Sequence, residues 1–404
     1  MRNEVVITGI GLRTPMGNSL QEARAVFAAG ESVISTCAAP DGHLRAVARI
    51  TEDYSSHFSR LDRSLIDPVA QLSILAAEAA VQDAQLDLAC ADKHRIGVFV
   101  GTGQGTTHTV TGASIALQEK DTIKTFTIAR GLANGVANHI SIRLGLKGEA
   151  QAIVLACASS NAAIGNACRL IRSGELDGAL AGGSDATYLE HAYRGWEAMR
   201  MLAPLHSEGA ARTCRPFAKD RSGLVLGEGA VVYMLESERH AKARGARIWA
   251  RLAGYGASSD GTHLLQPDAQ GQARAMANAL RDAGLTPQDI QYLNAHGAAS
   301  TLGDSTEVQA IRLAFGHHAQ SLAVSSTKAL HGHMLGATGA AELLAVIVAL
   351  NDGLIAPTAN LYDPDPEFDL DFVPLQARQG PPLRAAMSNN FAFGGSNACL
   401  VLTQ

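Results

Sequence analysis

Residues 151–174, QAIVLACASSNAAIGNACRLIRSG, decide how the rest of the chain is interpreted. The apolar run at residues 153–155 predicts a strand buried on both faces, and apolar residues then recur at helical spacing until Gly174, which is placed to end a helix. Cys157 therefore lies where a strand turns into the first turn of a helix. Unpaired backbone N–H groups and the helix dipole favour a thiolate there, whereas a buried cysteine without such a role acts as a small hydrophobic residue. This stretch alone leaves both interpretations open.

The composition limits the classes of protein to consider. The chain has 404 residues and a formal net charge of −5, which allows a large core and provides no basic surface for nucleic acid. No apolar run reaches the ~18 residues of a membrane span, and the N-terminus enters a strand without a long apolar signal region. The six cysteines form no C-x-x-C pair and show no metal-ligand spacing, a pattern that fits free thiols in a reducing compartment. We therefore expect a cytoplasmic protein with no metal, nucleic acid or membrane partner.

The order of apolar segments predicts two similar α/β halves, residues 1–245 and residues 246–404. Each half reads as strand, helix, strand, a sharp turn, a central helix and two more strands. The central helix of the first half opens at Cys157, and that of the second half opens after His333. No linker rich in Pro or Ser separates the halves, which favours one fused fold with both helix starts near its middle. Residues 125–144 are mostly small and apolar, so we expect a helix packed in the interior or at a subunit contact.

Two histidines lie at the ends of predicted strands in the second half. His296 follows a strand in LNAHGAASTLGDSTE (293–307), and His333 lies between a strand and a helix in SSTKALHGHMLGATG (325–339). Binding sites in α/β folds form at the carboxyl ends of strands. Most of the 14 histidines must be surface or structural residues. A cysteine and two histidines at corresponding ends of two similar halves nevertheless indicate one site.

Four separated motifs resemble those of the β-ketoacyl-acyl-carrier-protein synthases, the Cys–His–His condensing enzymes of the thiolase superfamily. The motifs are ACASS at 156–160, AHG followed by GD and E at 295–307, SSTK–GH–LGA–G at 325–339, and NNFAFGGSN at 389–397. They occur in the order of the family, and the resemblance runs the length of the chain. It implies a thiolase-like fold in which two similar α/β halves form a five-layered α-β-α-β-α sandwich. Thiolases and the initiating Cys–His–Asn synthases are poorer matches because the GH motif supplies a second histidine.

The resemblance implies a role for each of five residues. Cys157 would take an acyl chain from a carrier-protein thioester. His296 and His333 would donate hydrogen bonds to the malonyl thioester as it loses CO₂ and becomes an enolate, which extends the chain by two carbons. Lys328 and Glu307 resemble the charged pair that the family places behind the histidines, and a purely structural ion pair is an equal alternative for these two.

The resemblance also implies an oxyanion hole and an acyl pocket. The backbone N–H groups of Cys157 and Phe393 would form the oxyanion hole. Phe391 and Phe393 would gate the acyl pocket, although both could equally be ordinary core aromatics. Gln104 and Trp196 fall where the family has apolar pocket residues. A polar amide and a larger ring there favour a shorter, unsaturated or aryl-type chain.

The expected phosphopantetheine tunnel departs from the family pattern. Ala298 lacks the hydroxyl that would hold the arm, and Ser300 keeps only part of that capacity. Leu265 and Gln266 stand where Thr and Ser are expected. The phosphopantetheine belongs to acyl carrier protein, so the resemblance implies no resident cofactor.

The implied partner is acyl carrier protein, loaded with an acyl or a malonyl group. The family also implies a homodimer, with a heterodimer with a paralogous subunit as the alternative. Housekeeping fatty acid synthesis and a dedicated polyketide or aryl-polyene pathway both remain open. A non-catalytic chain-length-factor subunit is a further alternative, and the retention of Cys157, His296 and His333 argues against it.

Overall fold

The secondary structure follows from a computed structural model that describes residues 3–38 and 42–404. The strands are β1 (Val5–Arg13), β2 (Ser35–Ala38), β3 (Leu44–Val47), β4 (Ile96–Gly101), β5 (Ala150–Ile153), β6 (Gly178–Asp185), β7 (Gly229–Ser237), β8 (Ala250–Ser259), β9 (Tyr292–Asn294), β10 (Ala323–Ser325), β11 (Leu354–Ile355), β12 (Arg378–Gln379), β13 (Ala385–Ala392) and β14 (Ser396–Thr403). The α-helices are α1 (Leu20–Ala29), α2 (Arg60–Leu65), α3 (Pro68–Asp83), α4 (Thr107–Lys120), α5 (Thr127–Arg130), α6 (Gly135–Leu144), α7 (Ser159–Ser173), α8 (Glu190–Ala198), α9 (Glu238–Ala243), α10 (Ala269–Ala283), α11 (Thr301–Phe315), α12 (Lys328–His331) and α13 (Thr338–Asp352).

A ten-stranded mixed sheet consists of two five-stranded units with the same topology. Its strand order is β10-β9-β13-β14-β8-β1-β7-β6-β4-β5. In the first unit, β5, β4 and β6 pair in parallel, and β6, β7 and β1 pair antiparallel. The second unit repeats this pattern, with β10, β9 and β13 parallel and β13, β14 and β8 antiparallel. The units join where β1 pairs with β8, which confirms the two similar α/β halves.

Helices cover and separate the two units to give five layers. Helices α3 and α6 pack on the outer face of the first unit, and α10 and α11 pack on the outer face of the second. Helices α7 and α13 lie between the units and form the central core with apolar residues of both. This is the predicted α-β-α-β-α sandwich. The predicted boundary between residues 245 and 246 falls between α9 and β8 and stays a prediction.

The two central helices begin with the same backbone geometry, a turn that we call the elbow of each half. The first elbow is the 3₁₀ turn Ala156–Ala158 before α7, and the second is the 3₁₀ turn Leu335–Ala337 before α13. Each starts with a non-glycine residue in the left-handed region, φ 47° at Ala156 and φ 46° at Leu335. Such residues are uncommon and are enriched at functional sites. The two elbows also contact each other between the two units, so the helix starts meet near the middle of the molecule, as the sequence predicts.

One prediction about the first half is wrong, and another is corrected in part. Residues 153–155 do not form a strand buried on both faces, because β5 ends at Ile153 and lies at the edge of the sheet. Val154 is 56% exposed and Leu155 is 40% exposed. Residues 125–144 form the two helices α5 and α6 rather than one interior helix, and Ile142 is 74% exposed. Val154 and Leu155 therefore face outward, whereas α6 has one buried face with Val136 and Ile140 and one exposed face, and the expected subunit contact stays a prediction.

The second central helix has the composition of a membrane span but the position of a core helix. Within the ranges that the structure describes, Leu335–Asp352 is long and apolar enough to cross a membrane, with a mean hydropathy of 1.4. However, 89% of this stretch is buried inside the protein. Its apolar residues are explained by packing in the central layer.

Candidate active site

A cavity of about 310 Å³ joins residues from both halves next to the first elbow. Cys157, His296 and His333 all line it. One side-chain atom of each, the cysteine sulfur and a ring nitrogen of each histidine, lies within 4.8 Å of the other two. The histidine rings meet edge to face with their centroids 5.5 Å apart. Residues far apart in the chain thus form one cluster around a single point.

Cys157 occupies the first elbow, directly before α7. Its side chain is only 7% exposed, and this burial raises the pKa of the thiol to about 12, although the Lys328 ammonium opposes the shift. The prediction of a resting thiolate is therefore wrong, because desolvation of the sulfur outweighs the helix start. The helix start instead acts on the charge that develops when the thiol reacts.

Hydrogen bonds fix the tautomer of His333. The backbone N–H of Leu335 donates to His333 Nδ1 at 2.9 Å, so Nδ1 is an acceptor and the ring proton is on Nε2. His333 is 1% exposed, and burial, with a contribution from the Lys328 charge, lowers its pKa well below the ordinary value. His333 is therefore a neutral imidazole with one N–H available to the cavity.

Lys328 fixes the same tautomer in His296. The Lys328 ammonium lies 3.3 Å from His296 Nδ1, and an ammonium can only donate, so the ring proton of His296 is again on Nε2. Burial and the positive charge of Lys328 both lower the pKa of His296 well below its ordinary value. The site therefore contains two neutral imidazoles that can each donate a hydrogen bond.

Lys328 pairs with a different carboxylate from the one that the sequence indicates. Its ammonium forms a buried ion pair with Glu342 at 2.5 Å and also donates to the carbonyl of His296. Glu307 instead accepts from the backbone N–H groups of His296 at 2.8 Å and Gly297 at 2.7 Å. The expected Lys328–Glu307 pair is corrected to Lys328–Glu342, and Glu307 holds the backbone that carries His296.

Glu342 is a buried partner of Lys328 that the motifs missed. It lies fully buried on α13 among apolar residues, and Asn390 Nδ2 donates to its second oxygen at 2.7 Å. Burial raises its pKa to about 7, while the Lys328 charge opposes this shift. A single carboxylate inside an apolar core helix was the available signal, because such a charge needs a buried partner.

Aromatic side chains border the cavity beside Cys157. The rings of Trp196 and Phe393 stack with centroids 5.8 Å apart, and the Phe391 ring lies 6.2 Å from that of His296. All three aromatic residues line the cavity. Gln104 is not among the described residues that line it. Its backbone N–H donates to Asp185 at 3.0 Å, and its side-chain oxygen is buried with no partner in the described part of the chain.

The residues expected in the phosphopantetheine tunnel also line the cavity. Leu265, Gln266, Ala298 and Ser300 all border it. The Ser300 hydroxyl accepts from Gly303 N at 3.2 Å and caps α11. Its own proton remains available to a bound arm, because a hydroxyl both accepts and donates.

The cysteine and the two histidines are also of the residue types that bind zinc. The electrostatics of this site oppose a cation, because Lys328 places its ammonium against His296 Nδ1. Two N–H donors and a nucleophilic sulfur in one cavity fit a thioester whose oxygen becomes negative during reaction.

Comparisons with known proteins agree with this chemistry of the site. The family model "Beta-ketoacyl synthase, N-terminal domain" matches residues 2–241, and "Beta-ketoacyl synthase, C-terminal domain" matches residues 249–362. Nodulation protein E of Rhizobium leguminosarum bv. trifolii is 39% identical over 411 residues, covering 100% of both chains. The 3-oxoacyl-[acyl-carrier-protein] synthase 2 of Staphylococcus aureus is 38% identical over 405 residues, covering 98% of this chain and 97% of that protein.

A solved structure extends the likeness to the fold. It is titled as a type II PKS acyl-carrier protein in complex with its ketosynthase, and it matches with a TM-score of 0.93 at 28% identity. The match covers 100% of both chains. With two family models spanning most of the sequence and relatives matched end to end, this chain belongs to the β-ketoacyl synthase family.

Proposed function

We propose that this protein is an elongating 3-oxoacyl-[acyl-carrier-protein] synthase that uses Cys157 as its nucleophile. The observation that carries this proposal is the cluster of one thiol and two neutral imidazoles within 4.8 Å in one cavity. The thiol can hold an acyl group, and the imidazoles can bind a second thioester beside it. This arrangement supports a condensation between two thioesters.

In the first step, Cys157 attacks the carbonyl of an acyl thioester on acyl carrier protein. A new C–S bond forms to Cys157, the bond to the phosphopantetheine sulfur breaks, and the cysteine proton ends on the departing thiol. The pKa of about 12 means that the thiol is protonated at rest, so this proton transfer accompanies the attack. The backbone N–H groups of Cys157 and Phe393 would stabilise the tetrahedral oxyanion.

In the second step, His296 and His333 donate hydrogen bonds to the thioester oxygen of malonyl carrier protein. The malonyl group loses CO₂, and the negative charge moves to this oxygen as an enolate. The enolate carbon then attacks the acyl group on Cys157 and releases the cysteine, which takes up a proton. Both imidazoles are suited to this role because their low pKa values keep them neutral without removing their Nε2 protons.

The acyl carrier protein would reach the site through the open end of the cavity. Arg200 lines this cavity and is exposed. Arg60, Arg63, Lys120 and Lys124 are further exposed basic side chains of the same half. Exposed basic residues favour docking of an acidic carrier protein. The solved relative in complex with its acyl-carrier protein supports this partner. The phosphopantetheine arm arrives with that partner and would contact the tunnel residues Leu265, Gln266 and Ser300.

We propose that the protein forms a homodimer through the edge strand β5. This strand has a pairing partner on one side only, and an open edge invites pairing with another chain. Val154 directly follows this strand, and Ile142 lies on α6, which packs against it; they are 56% and 74% exposed. Exposed apolar side chains of this kind are typical of an interaction surface. A second copy would pair the two β5 edges and bury these side chains, and a paralogous subunit is the alternative partner. A cytoplasmic location is supported by the six cysteines, none of which forms a disulfide bond in the part of the chain that the structure describes.

A dedicated polyketide or aryl-polyene pathway is the second candidate. Trp196 and Phe393 stack on one another and line the cavity that holds Cys157, and a large ring there favours flat or short chains over long saturated ones. A chain-length factor without chemistry of its own would not need the hydrogen bonds that fix both imidazole tautomers.

An extension assay tests the proposal and separates the two pathways. The wild-type protein is incubated with malonyl carrier protein and a panel of saturated, unsaturated and aryl acyl carrier proteins, and products are measured by mass spectrometry. We expect 3-oxoacyl carrier protein two carbons longer than the acyl donor, with one CO₂ per product. Failure to extend any donor would contradict the proposed function, and the preferred donor identifies the pathway.

A further inference from the structure

Asp185 is a buried carboxylate outside the motifs that identify the site. It is the last residue of β6 and has no exposed surface. Burial raises its pKa to about 6, although several hydrogen bonds oppose the shift. It is absent from the lining of the cavity that holds Cys157. Its effect on the reaction must therefore pass through the groups that it binds.

The carboxylate of Asp185 joins two separate segments. From the segment 102–104, it accepts from Thr102 Oγ1 at 3.0 Å, Gly103 N at 2.7 Å and Gln104 N at 3.0 Å. From the second elbow, it accepts from Gly336 N at 2.6 Å. Two segments far apart in sequence thus share one acceptor.

The segment 102–104 is tied to the elbow that carries Cys157. The Ser159 hydroxyl, at the start of α7, lies 3.1 Å from the carbonyl oxygen of Thr102 and 2.7 Å from that of Ala156. The same hydroxyl accepts from Leu155 N at 2.8 Å. Movement of this segment would therefore disturb the backbone on both sides of the nucleophile.

The other side of Asp185 is tied to His333. Leu335 N, one residue before Gly336, donates to His333 Nδ1 at 2.9 Å and fixes the tautomer of this histidine. The two segments are also in direct contact, since a Cβ atom added to Gly336 would lie 2.3 Å from Gly103 N. The contact leaves no room for a side chain, and Asp185 provides the hydrogen bonds that close it.

We propose that Asp185 is a positioning residue that keeps the acyl group on Cys157 in register with the enolate held at His333. This inference rests on the proposed function. Its consequence is that Asp185 couples loss of CO₂ to formation of the carbon–carbon bond. Without that register, the enolate would take up a proton, so that malonyl carrier protein and one proton give CO₂ and acetyl carrier protein with no extension.

The substitution Asp185→Asn tests this coupling. The amide has the size of the carboxylate, but its N–H₂ group cannot accept a hydrogen bond. Some of the N–H groups that donate to Asp185 would therefore lose their acceptor. We expect condensation to fall on the order of 10²-fold, because misplacement by about 1 Å has that effect on a bimolecular step. Acylation of Cys157 in a single turnover and loss of CO₂ should each fall much less. The measured quantity is the ratio of CO₂ to 3-oxoacyl carrier protein, with acetyl carrier protein as the balancing product.

Two further variants distinguish coupling from general damage. Ser184→Ala changes the neighbouring buried residue, whose hydroxyl donates to Val69 O at 2.8 Å, and should leave the ratio unchanged. Thr102→Val removes one of the four hydrogen bonds to Asp185 and should raise the ratio less than Asp185→Asn does. Thr102→Val also tests the coupling role if Asp185→Asn does not fold.

The outcomes separate this inference from the proposed function. A raised ratio in Asp185→Asn or Thr102→Val, with the ratio unchanged in Ser184→Ala, would support the coupling role. Equal losses in acylation, CO₂ release and condensation, or an unchanged ratio of CO₂ to 3-oxoacyl product in both variants, would overturn the coupling role. The proposed function would still be upheld if the wild-type protein condenses. A wild-type protein that does not condense would overturn both.

Discussion

The two elbows share a backbone shape but differ in what occupies them. In the first elbow, the residue after the left-handed Ala156 is Cys157, whose side chain reaches the cavity. In the second, the residue after the left-handed Leu335 is Gly336, whose backbone packs against Gly103 and Asp185. One elbow therefore presents a nucleophile, and the other supports the loop that presents a histidine.

The segments that lead into the elbows also differ in their exposure. Val154 and Leu155 are 56% and 40% exposed, whereas His333 and Met334 are 1% and 0% exposed. The second elbow is enclosed within one chain, and the first lies next to an open sheet edge. The two similar halves thus differ at this point, because only the first half has an outward-facing sheet edge directly before its elbow.

Removal of the side chain at the first elbow should have the largest effect. We expect Cys157→Ala to lower condensation by about 10⁴-fold or more, as is typical when a covalent nucleophile is removed. The fold should persist because alanine fits the same turn. Cys90→Ala, which removes an exposed thiol, is the control and should retain wild-type condensation. Condensation by Cys157→Ala at a rate close to that of the wild type would contradict the role of the first elbow.

The two histidines should affect a different step from Cys157. His333→Ala and His296→Ala should each lower loss of CO₂ and condensation on the order of 10²–10³-fold, because each removes one donor to the developing enolate. Acylation of Cys157 should be spared, since neither imidazole carries the acyl group. His317→Ala, at an exposed position, serves as the control. Equal inhibition of acylation would show that the two elbows do not divide the reaction.

A side chain at the second elbow should destabilise the protein. In Gly336→Ala, the new Cβ would lie 2.3 Å from Gly103 N, and overpacking of this kind costs about 1–3 kcal/mol. The control is Gly112→Ala in α4, where an added Cβ meets nothing within 4 Å. That change should raise stability by roughly 0.5–1 kcal/mol, since alanine favours a helix interior. Urea denaturation of both variants measures the contrast, and tolerance of Gly336→Ala would show that the second elbow is not closed.

A buried histidine beside the second elbow should make stability depend on pH. His331 has no exposed surface, and burial lowers its pKa to about 3. An unfolded histidine titrates near 6.5, so this contribution is present above that pH and is lost as the pH falls toward 3. From pH 7 to pH 5, the stability of the wild type relative to His331→Asn should decrease by about 2 kcal/mol.

Urea denaturation at the two pH values, at one protein concentration, measures this change. His317→Asn is the matched control and should follow the pH dependence of the wild type. A stability difference between wild type and His331→Asn that stays constant with pH would show that His331 is not held neutral.

The sequence predicts most of the site because its chemistry depends on residue types at strand ends. Cys157, His296 and His333 are recognisable from their motifs, and the structure brings their reactive atoms together. The partner of Lys328 was missed because Glu342 lies one helix further along and carries no motif. Asp185 was missed for the same reason, since its partners are mainly backbone N–H groups that any sequence supplies.

Burial was the property that sequence patterns predicted least well. The apolar residues Val154 and Leu155 have the composition of a buried strand, yet they lie beside the sheet edge. The helix start at Cys157 predicts a thiolate, yet enclosure of the sulfur raises its pKa. Both errors arise because exposure depends on which elements, or which second chain, pack against a segment.

The location of the acyl group tests the division between the elbows most directly. The wild-type protein is incubated with acyl carrier protein in the absence of the malonyl substrate, digested, and mapped by mass spectrometry. We predict one acyl adduct, on the peptide that contains Cys157, and its release as 3-oxoacyl product once malonyl carrier protein is added. An adduct on any other cysteine, or no covalent acyl-protein before extension, would contradict the assignment of the nucleophile.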